Sequence, residues 1–115
     1  MSWTIYHNPK CSKSRATLEI LKANGIEPTI IEYLKTAPDL KTINQLLSYL
    51  DKSVDAILRS KEDLYSELKM GQQSEEEKRR LLSTHPQLME RPIVVRNQKA
   101  VIGRPPENVH ELMDK

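Results

Sequence analysis

Cysteine is nearly absent from this sequence, because its 115 residues include only one, Cys11. A single thiol cannot form an internal disulfide, and it cannot supply the several thiolates of a cysteine-rich zinc site. A redox disulfide therefore needs a second thiol from another molecule. The role of Cys11 is the main question that the sequence raises.

A strong net charge and long apolar runs are absent as well. The net charge is +2 and the two signs are interspersed, so no overall field attracts the protein to nucleic acid or to an anionic membrane. No segment approaches the roughly 20 apolar residues of a membrane span, and MSWTIYHNPK lacks the regions of a signal peptide. We expect a cytoplasmic protein that binds neither nucleic acid nor membranes.

The chain also has no Gly- or Ser-rich linker and no apparent repeat. Hydrophobic residues make up 37 % of it, which is enough for one core in a chain of this length. We therefore predict a single domain over residues 1–115.

Hydrophobic periodicity predicts the element order β, α, β, a helical stretch, β, β, α. Gly25 stands where a helix end favours a positive φ. In chain order we predict a strand at 3–7, a helix from 12 to about 24, a strand at 28–33, helices throughout about 39–85, hairpin strands at 92–95 and 100–102, and a last helix ENVHELM. This order predicts an α/β, thioredoxin-like fold, with a four-stranded mixed sheet and a helical insertion between strands 2 and 3.

Cys11 is predicted to lie between the first strand and the first helix. Free N–H groups and the positive end of the helix dipole favour a thiolate at that place. Cationic neighbours such as His7, Lys13 and Arg15 add to this effect, and together they can lower a thiol pKa from ~8.5 to about 3.5–7.5. The alternative is a buried cysteine that only packs.

Two known thiol motifs do not match this loop. A dithiol oxidoreductase requires Cys-x-x-Cys, but the second position is Ser14. A thiol phosphatase loop requires an arginine six positions after the cysteine, and that position is Thr17. What occurs instead is Cys-x-x-Ser-Arg with a histidine four residues upstream.

Four segments carry a resemblance to a known family: YHNPKCSKSRATLEIL, AILRSKE, MERPIVV and IGRPPE. Together they closely resemble the arsenate reductases that work with glutathione and glutaredoxin, and the resemblance extends over essentially the whole chain. Within that family the chain is most similar to the arsenate reductase-like proteins with a CSKSR loop.

The resemblance implies a nucleophile and an oxyanion site. Cys11 would attack arsenate or a similar oxyanion, and Arg59, Arg91 and Arg104 would hold it. Guanidinium groups suit this task, since they offer permanent charge and paired donors to a tetrahedral anion.

Three further residues are expected near the sulfur, His7 and Ser14 from their place in the chain and Pro92 from the same resemblance. His7 would act beside the sulfur, either as an imidazolium that favours the thiolate or as a neutral base that accepts the thiol proton. The alternative is a histidine whose hydrogen bonds only satisfy the core or a sheet edge. The Ser14 hydroxyl would donate to the thiolate. Pro92 matches the position of the cis-proline of thioredoxin-like proteins.

Glutathione is the implied co-substrate and glutaredoxin the implied partner, with no metal and no tightly bound cofactor. Glutathione would form a mixed disulfide with Cys11, which glutaredoxin would resolve. Other readings of the same fold are an Spx-type regulator that binds RNA polymerase, a glutathione-dependent thiol-disulfide reductase, and a reductase for another oxyanion or electrophile.

Overall fold

A computed structural model describes residues 2–113 of the chain, which divide into two compact units. The first unit comprises the described residues up to Thr36 and those from Arg91 onward, and the second comprises Ala37–Glu90. The second unit includes the whole of the predicted insertion, about 39–85. The assignment of both units to one domain stays a prediction.

The first unit is built on a four-stranded sheet with the order β2-β1-β3-β4. Strands β1 and β2 are parallel, while β1 with β3 and β3 with β4 are antiparallel. The predicted mixed sheet is therefore confirmed. Its elements are β1 (Trp3–His7), α1 (Ser12–Ala23), β2 (Thr29–Glu32), β3 (Ile93–Arg96), β4 (Lys99–Ile102) and a final 3-10 helix, Pro106–Leu112.

Helix α1 begins and ends at the residues that its sequence predicts. Cys11 is the N-cap residue, with an extended backbone. At the other end the N–H of Gly25 bonds to the carbonyl of Lys22, and the N–H of Ile26 bonds to that of Leu21, each at 3.0 Å. Gly25 has a φ of 76°, so this is the Schellman ending that glycine permits.

The core of the first unit lies where α1 and the final 3-10 helix pack on the sheet. It consists of Ile5, Leu21, Val94, Val109 and Leu112, all buried. The hairpin between β3 and β4 turns at Asn97, whose φ of 58° is one that asparagine tolerates. The predicted hairpin is confirmed, and the predicted last helix forms with 3-10 geometry.

The second unit is less regular than the sequence predicts. Its helices are α2 (Leu40–Leu50), α3 (Asp63–Glu67) and α4 (Glu75–Thr84), with 3-10 turns at Val54–Ile57, Met70–Gln72 and Pro86–Leu88. The prediction of continuous helix is wrong around Leu58, which forms an isolated antiparallel bridge with Met89. The Arg59 N–H donates to the Leu88 carbonyl (2.8 Å) and the Glu90 N–H to the Ile57 carbonyl (2.7 Å), so these groups bond to a distant segment instead of within a helix.

Among residues 2–113, no helix is both long enough and apolar enough to cross a membrane. Over the same residues, no group of three or more His, Cys, Asp or Glu side chains is arranged to hold a metal ion.

Removal of a core side chain in the first unit tests this packing. Leu21 is 0 % exposed, so Leu21→Ala should lower the free energy of unfolding by about 2–5 kcal/mol, because it loses apolar burial and leaves a cavity. Leu34 is 48 % exposed, and Leu34→Ala should cost about 0.5 kcal/mol or less. Urea unfolding of both variants measures the difference, and equal losses would contradict the core assignment.

Candidate active site

Cys11 lies at the end of a tight turn between β1 and α1. The Cys11 N–H donates to the Asn8 carbonyl at 3.0 Å, and the Lys10 N–H donates to Oδ1 of Asn8 at the same distance. On the helix side, the Arg15 N–H donates to the Cys11 carbonyl. The residue is 9 % exposed, so a well-ordered backbone holds a nearly buried sulfur at the first turn of the helix.

The surroundings of Cys11 favour its thiolate. Burial is the largest single effect and raises the pKa of the thiol. It is outweighed by the N–H groups of Ser14 and Lys13, which donate to the sulfur, and by the positive charge and hydrogen bond of Arg91, so the pKa of Cys11 lies below its ordinary value. The reading of Cys11 as a packing residue only does not explain these donors.

Two of the three predicted arginines lie together. The side chain of Arg91 reaches the Cys11 sulfur, and Nη1 of Arg104 donates to the carbonyl of Arg91 at 3.2 Å. Both arginines are partly buried. The predicted cis bond before Pro92 is confirmed, and the bond between Arg104 and Pro105 is also cis.

Arg59 belongs to the second unit. Its guanidinium forms an ion pair with Glu62 at 2.9 Å, and its Nη1 donates to the carbonyl of Gln87 at 3.3 Å. Its side chain retains 24 % exposure. The assignment of Arg59 to oxyanion binding stays a prediction.

His7 and Ser14 form a buried pair. Nδ1 of His7 lies 2.5 Å from Oγ of Ser14, and the Asn8 N–H donates to the same oxygen at 3.0 Å. Burial is the main cause that lowers the pKa of His7, the charges of Arg15 and Lys22 lower it further, and Glu32 opposes them. Of the two predicted roles for His7, the neutral form is therefore favoured over the imidazolium.

The predicted donation of the Ser14 hydroxyl to the thiolate stays a prediction. That hydroxyl is bonded to His7 and to the Asn8 backbone, whereas the group of Ser14 that acts on the Cys11 sulfur is its N–H. The side chain thus holds the turn in shape, and the backbone supplies the donor.

Two residues near the site were missed from the sequence, Thr17 and Gly103. Thr17 is fully buried on α1, and Gly103 is buried at the end of β4, directly before Arg104. The glycine stands in the segment IGRPPE that carries the family resemblance, and this was the signal available.

Comparisons with known proteins identify the family of this chain. The model of the ArsC family matches residues 6–112. The chain belongs to the ArsC family. The uncharacterized protein YfgD of Escherichia coli (strain K12) is 52 % identical over 112 residues, which cover 95 % of this chain and 94 % of YfgD.

Two relatives of this ArsC-family chain are named as arsenate reductases. That of Neisseria meningitidis serogroup A / serotype 4A (strain DSM 15465 / Z2491) is 41 % identical over 112 residues, covering 95 % of this chain and 96 % of the relative. The solved structure of arsenate reductase from Vibrio cholerae has 49 % identity and a TM-score of 0.94, and covers 96 % of this chain and 97 % of that chain. The predicted family and the predicted thioredoxin-like fold are confirmed.

The ArsC-family chain thus presents a thiol that ionises easily beside a guanidinium. A thiolate is a nucleophile, and a neighbouring cation attracts an anionic substrate to it and offsets the repulsion between the two negative charges. The arrangement is suited to attack on an oxyanion.

The contribution of Arg91 can be measured through the reactivity of Cys11. Because only the thiolate reacts, the rate of alkylation by iodoacetamide between about pH 5 and pH 9 gives the pKa of the thiol. Arg91→Ala should raise that pKa, since it removes a positive charge and a hydrogen bond that favour the thiolate.

Arg80→Ala is the matched control. Arg80 is 60 % exposed and pairs with Glu76 and Glu77 on α4, so its loss should leave the alkylation profile unchanged. If the alkylation profile of Arg91→Ala coincides with that of the protein without substitutions, Arg91 does not act on the sulfur.

Proposed function

We propose that this protein is an oxidoreductase that reduces arsenate to arsenite, with the Cys11 thiolate as the nucleophile. The observation that carries the proposal is the Cys11 sulfur, which receives two backbone N–H groups and the Arg91 side chain. Relatives named as arsenate reductases, 41 % to 49 % identical over nearly the whole chain, support the choice of substrate.

In the first step the Cys11 sulfur attacks arsenic. A sulfur–arsenic bond forms and the bond from arsenic to one hydroxyl oxygen breaks; that hydroxyl takes up a proton from solvent and leaves as water, with the arsenic still in its oxidised state. Arg91 and Arg104 neutralise the charge on the remaining oxygens, and guanidinium groups match such oxygens with paired donors. Arg59 remains our candidate for a third cation on the oxyanion.

In the second step glutathione supplies the other sulfur. Its thiolate attacks the Cys11 sulfur, a disulfide forms between them, and the electron pair of the sulfur–arsenic bond passes to arsenic, which leaves as arsenite. Two thiols are oxidised to one disulfide, and the arsenic centre gains the two electrons.

The third step returns Cys11 to its thiol form. A glutaredoxin thiolate attacks the glutathione sulfur of the mixed disulfide and releases Cys11. The sequence itself makes an outside thiol necessary, since Cys11 has no second cysteine in the chain to resolve it. The cycle requires no metal and no tightly bound cofactor, and the reducing conditions of the cytoplasm suit it.

His7 and Ser14 support these steps through the turn that carries Cys11. The neutral imidazole and the hydroxyl fix the turn from which the Ser14 N–H reaches Cys11. We propose that a neutral His7 also accepts the thiol proton when the thiolate forms.

A coupled assay tests this function. With glutathione, glutaredoxin, glutathione reductase and NADPH, arsenate should cause NADPH oxidation that Cys11→Ser reduces to the background without enzyme. Arg91→Lys should lower kcat/KM for arsenate by about 10- to 100-fold, because an ammonium keeps the charge and loses the paired donors.

Arg80→Lys is the control for that assay and should retain the full rate, since Arg80 lies on the exposed face of α4. Phosphate and a simple glutathione mixed disulfide are the comparison substrates. A rate with the disulfide far above that with arsenate would identify a general thiol-disulfide reductase instead.

The intermediate provides a separate test. After a single turnover with arsenate and glutathione, without glutaredoxin, mass spectrometry should find one glutathione on Cys11. Cys11→Ser should carry none under the same conditions, and omission of arsenate should leave the unmodified protein unlabelled. Arsenite formed without any mixed disulfide would contradict the second step.

A further inference from the structure

Gly103 occupies a position where no side chain fits. A Cβ atom built on it would lie 2.6 Å from Oγ1 of Thr17 and 2.8 Å from Cγ of Pro92, both shorter than real carbon contacts allow. The methyl group of Thr17 would be 3.1 Å away. The missing side chain therefore allows α1 and the start of β3 to approach the end of β4.

On the helix side, Thr17 connects this contact to the sulfur. The Thr17 hydroxyl donates to the carbonyl of Lys13 at 2.8 Å, and the Gly103 carbonyl lies 3.4 Å from the same hydroxyl. The N–H of Lys13 in turn is one of the donors to Cys11. A shift of Thr17 is thus passed to the first turn of α1, where the sulfur lies.

On the strand side, Pro92 connects the same contact to a guanidinium. The Gly103 N–H donates to the Pro92 carbonyl at 2.9 Å, which holds the two backbones together. The neighbour of Pro92 is Arg91, whose side chain reaches the Cys11 sulfur, and the neighbour of Gly103 is Arg104, which donates to the Arg91 carbonyl.

We propose that Gly103 is a positioning residue that sets the separation between the Cys11 sulfur and the Arg91 guanidinium, through its close contacts with Thr17 and Pro92. The inference deepens the proposed function and rests on it for the meaning of that separation in catalysis. Gly103 acts through Thr17 and Pro92, the residues that a side chain at 103 would meet.

The physical reason lies in the distance dependence of the charge interaction. A side chain at 103 must push Thr17 or Pro92 away, and the two lie on the segments that carry Cys11 and Arg91. Opposite charges that move from about 4 Å to about 5 Å apart, at an effective dielectric constant of about 20, lose interaction worth roughly half a pH unit.

The test uses the alkylation of Cys11 by iodoacetamide as a function of pH, on the full chain without arsenate. Gly103→Ala should move the midpoint upward by roughly half a pH unit. Thr17→Ala removes the two atoms that a Cβ at 103 would meet at 2.6 Å and 3.1 Å. The midpoint of the double variant, Gly103→Ala with Thr17→Ala, should therefore differ from that of Thr17→Ala by less than half of the shift that Gly103→Ala causes alone.

Gly71→Ala is the matched control. A Cβ at Gly71 would meet only the hydroxyl of Tyr65, at an ordinary 3.8 Å, so this glycine-to-alanine change should leave the midpoint in place. A folded Gly103→Ala protein with an unchanged midpoint, or a double variant that keeps the full shift, would overturn the proposal.

The proposal can be tested even if Gly103→Ala does not fold. Should Gly103→Ala fail to fold, the double variant must fold with a midpoint within about a quarter of a pH unit of that of Thr17→Ala, because Thr17 makes the shortest contact. A double variant that also fails to fold would overturn the proposal.

The alkylation result is independent of arsenate turnover. If Gly103→Ala shifts the midpoint but the protein without substitutions does not reduce arsenate, the positioning role is supported and the proposed function is rejected. An unshifted midpoint together with normal arsenate turnover would reject the positioning role alone.

Discussion

The stabilisation of negative charge on the Cys11 sulfur is the interaction on which the site depends. Burial opposes that charge, and two backbone N–H groups and the Arg91 guanidinium outweigh the opposition. A buried thiolate without these donors would take up a proton and lose its reactivity. The same donors make the place attractive to an anion, so the conditions that activate the nucleophile also suit an oxyanion substrate.

Three segments far apart in the chain meet to create these conditions. The first turn of α1 supplies backbone donors, the residue before β3 supplies Arg91, and the residues after β4 supply Arg104 and Gly103. The order of the sheet, with β3 paired to both β1 and β4, brings the three segments to one place. The four-stranded mixed sheet thus brings the first turn of α1, the start of β3 and the end of β4 together in one site.

Features with a local cause were predictable. The helix start at Cys11, the Schellman ending at Gly25 and the hairpin at Asn97 follow from residues that are neighbours in sequence. The bridge between Leu58 and Met89 was not predictable, because its hydrogen bonds join backbone segments about thirty residues apart and leave no local pattern. The role of Thr17 was missed for the same reason, since its neighbour Gly103 is 86 residues away.

One cysteine in 115 residues already implies that any disulfide must include a thiol from another molecule, and no folding can change that count. The place of Cys11 before a helix likewise implies N–H donors for its sulfur. Arg91 was expected near that sulfur only through the family resemblance, and its hydrogen bond to the sulfur and the contact of the Ser14 hydroxyl with His7 came from the fold. The reason is physical: backbone donors come with the local helix, whereas side chains from distant segments meet only once the sheet and its packing are complete.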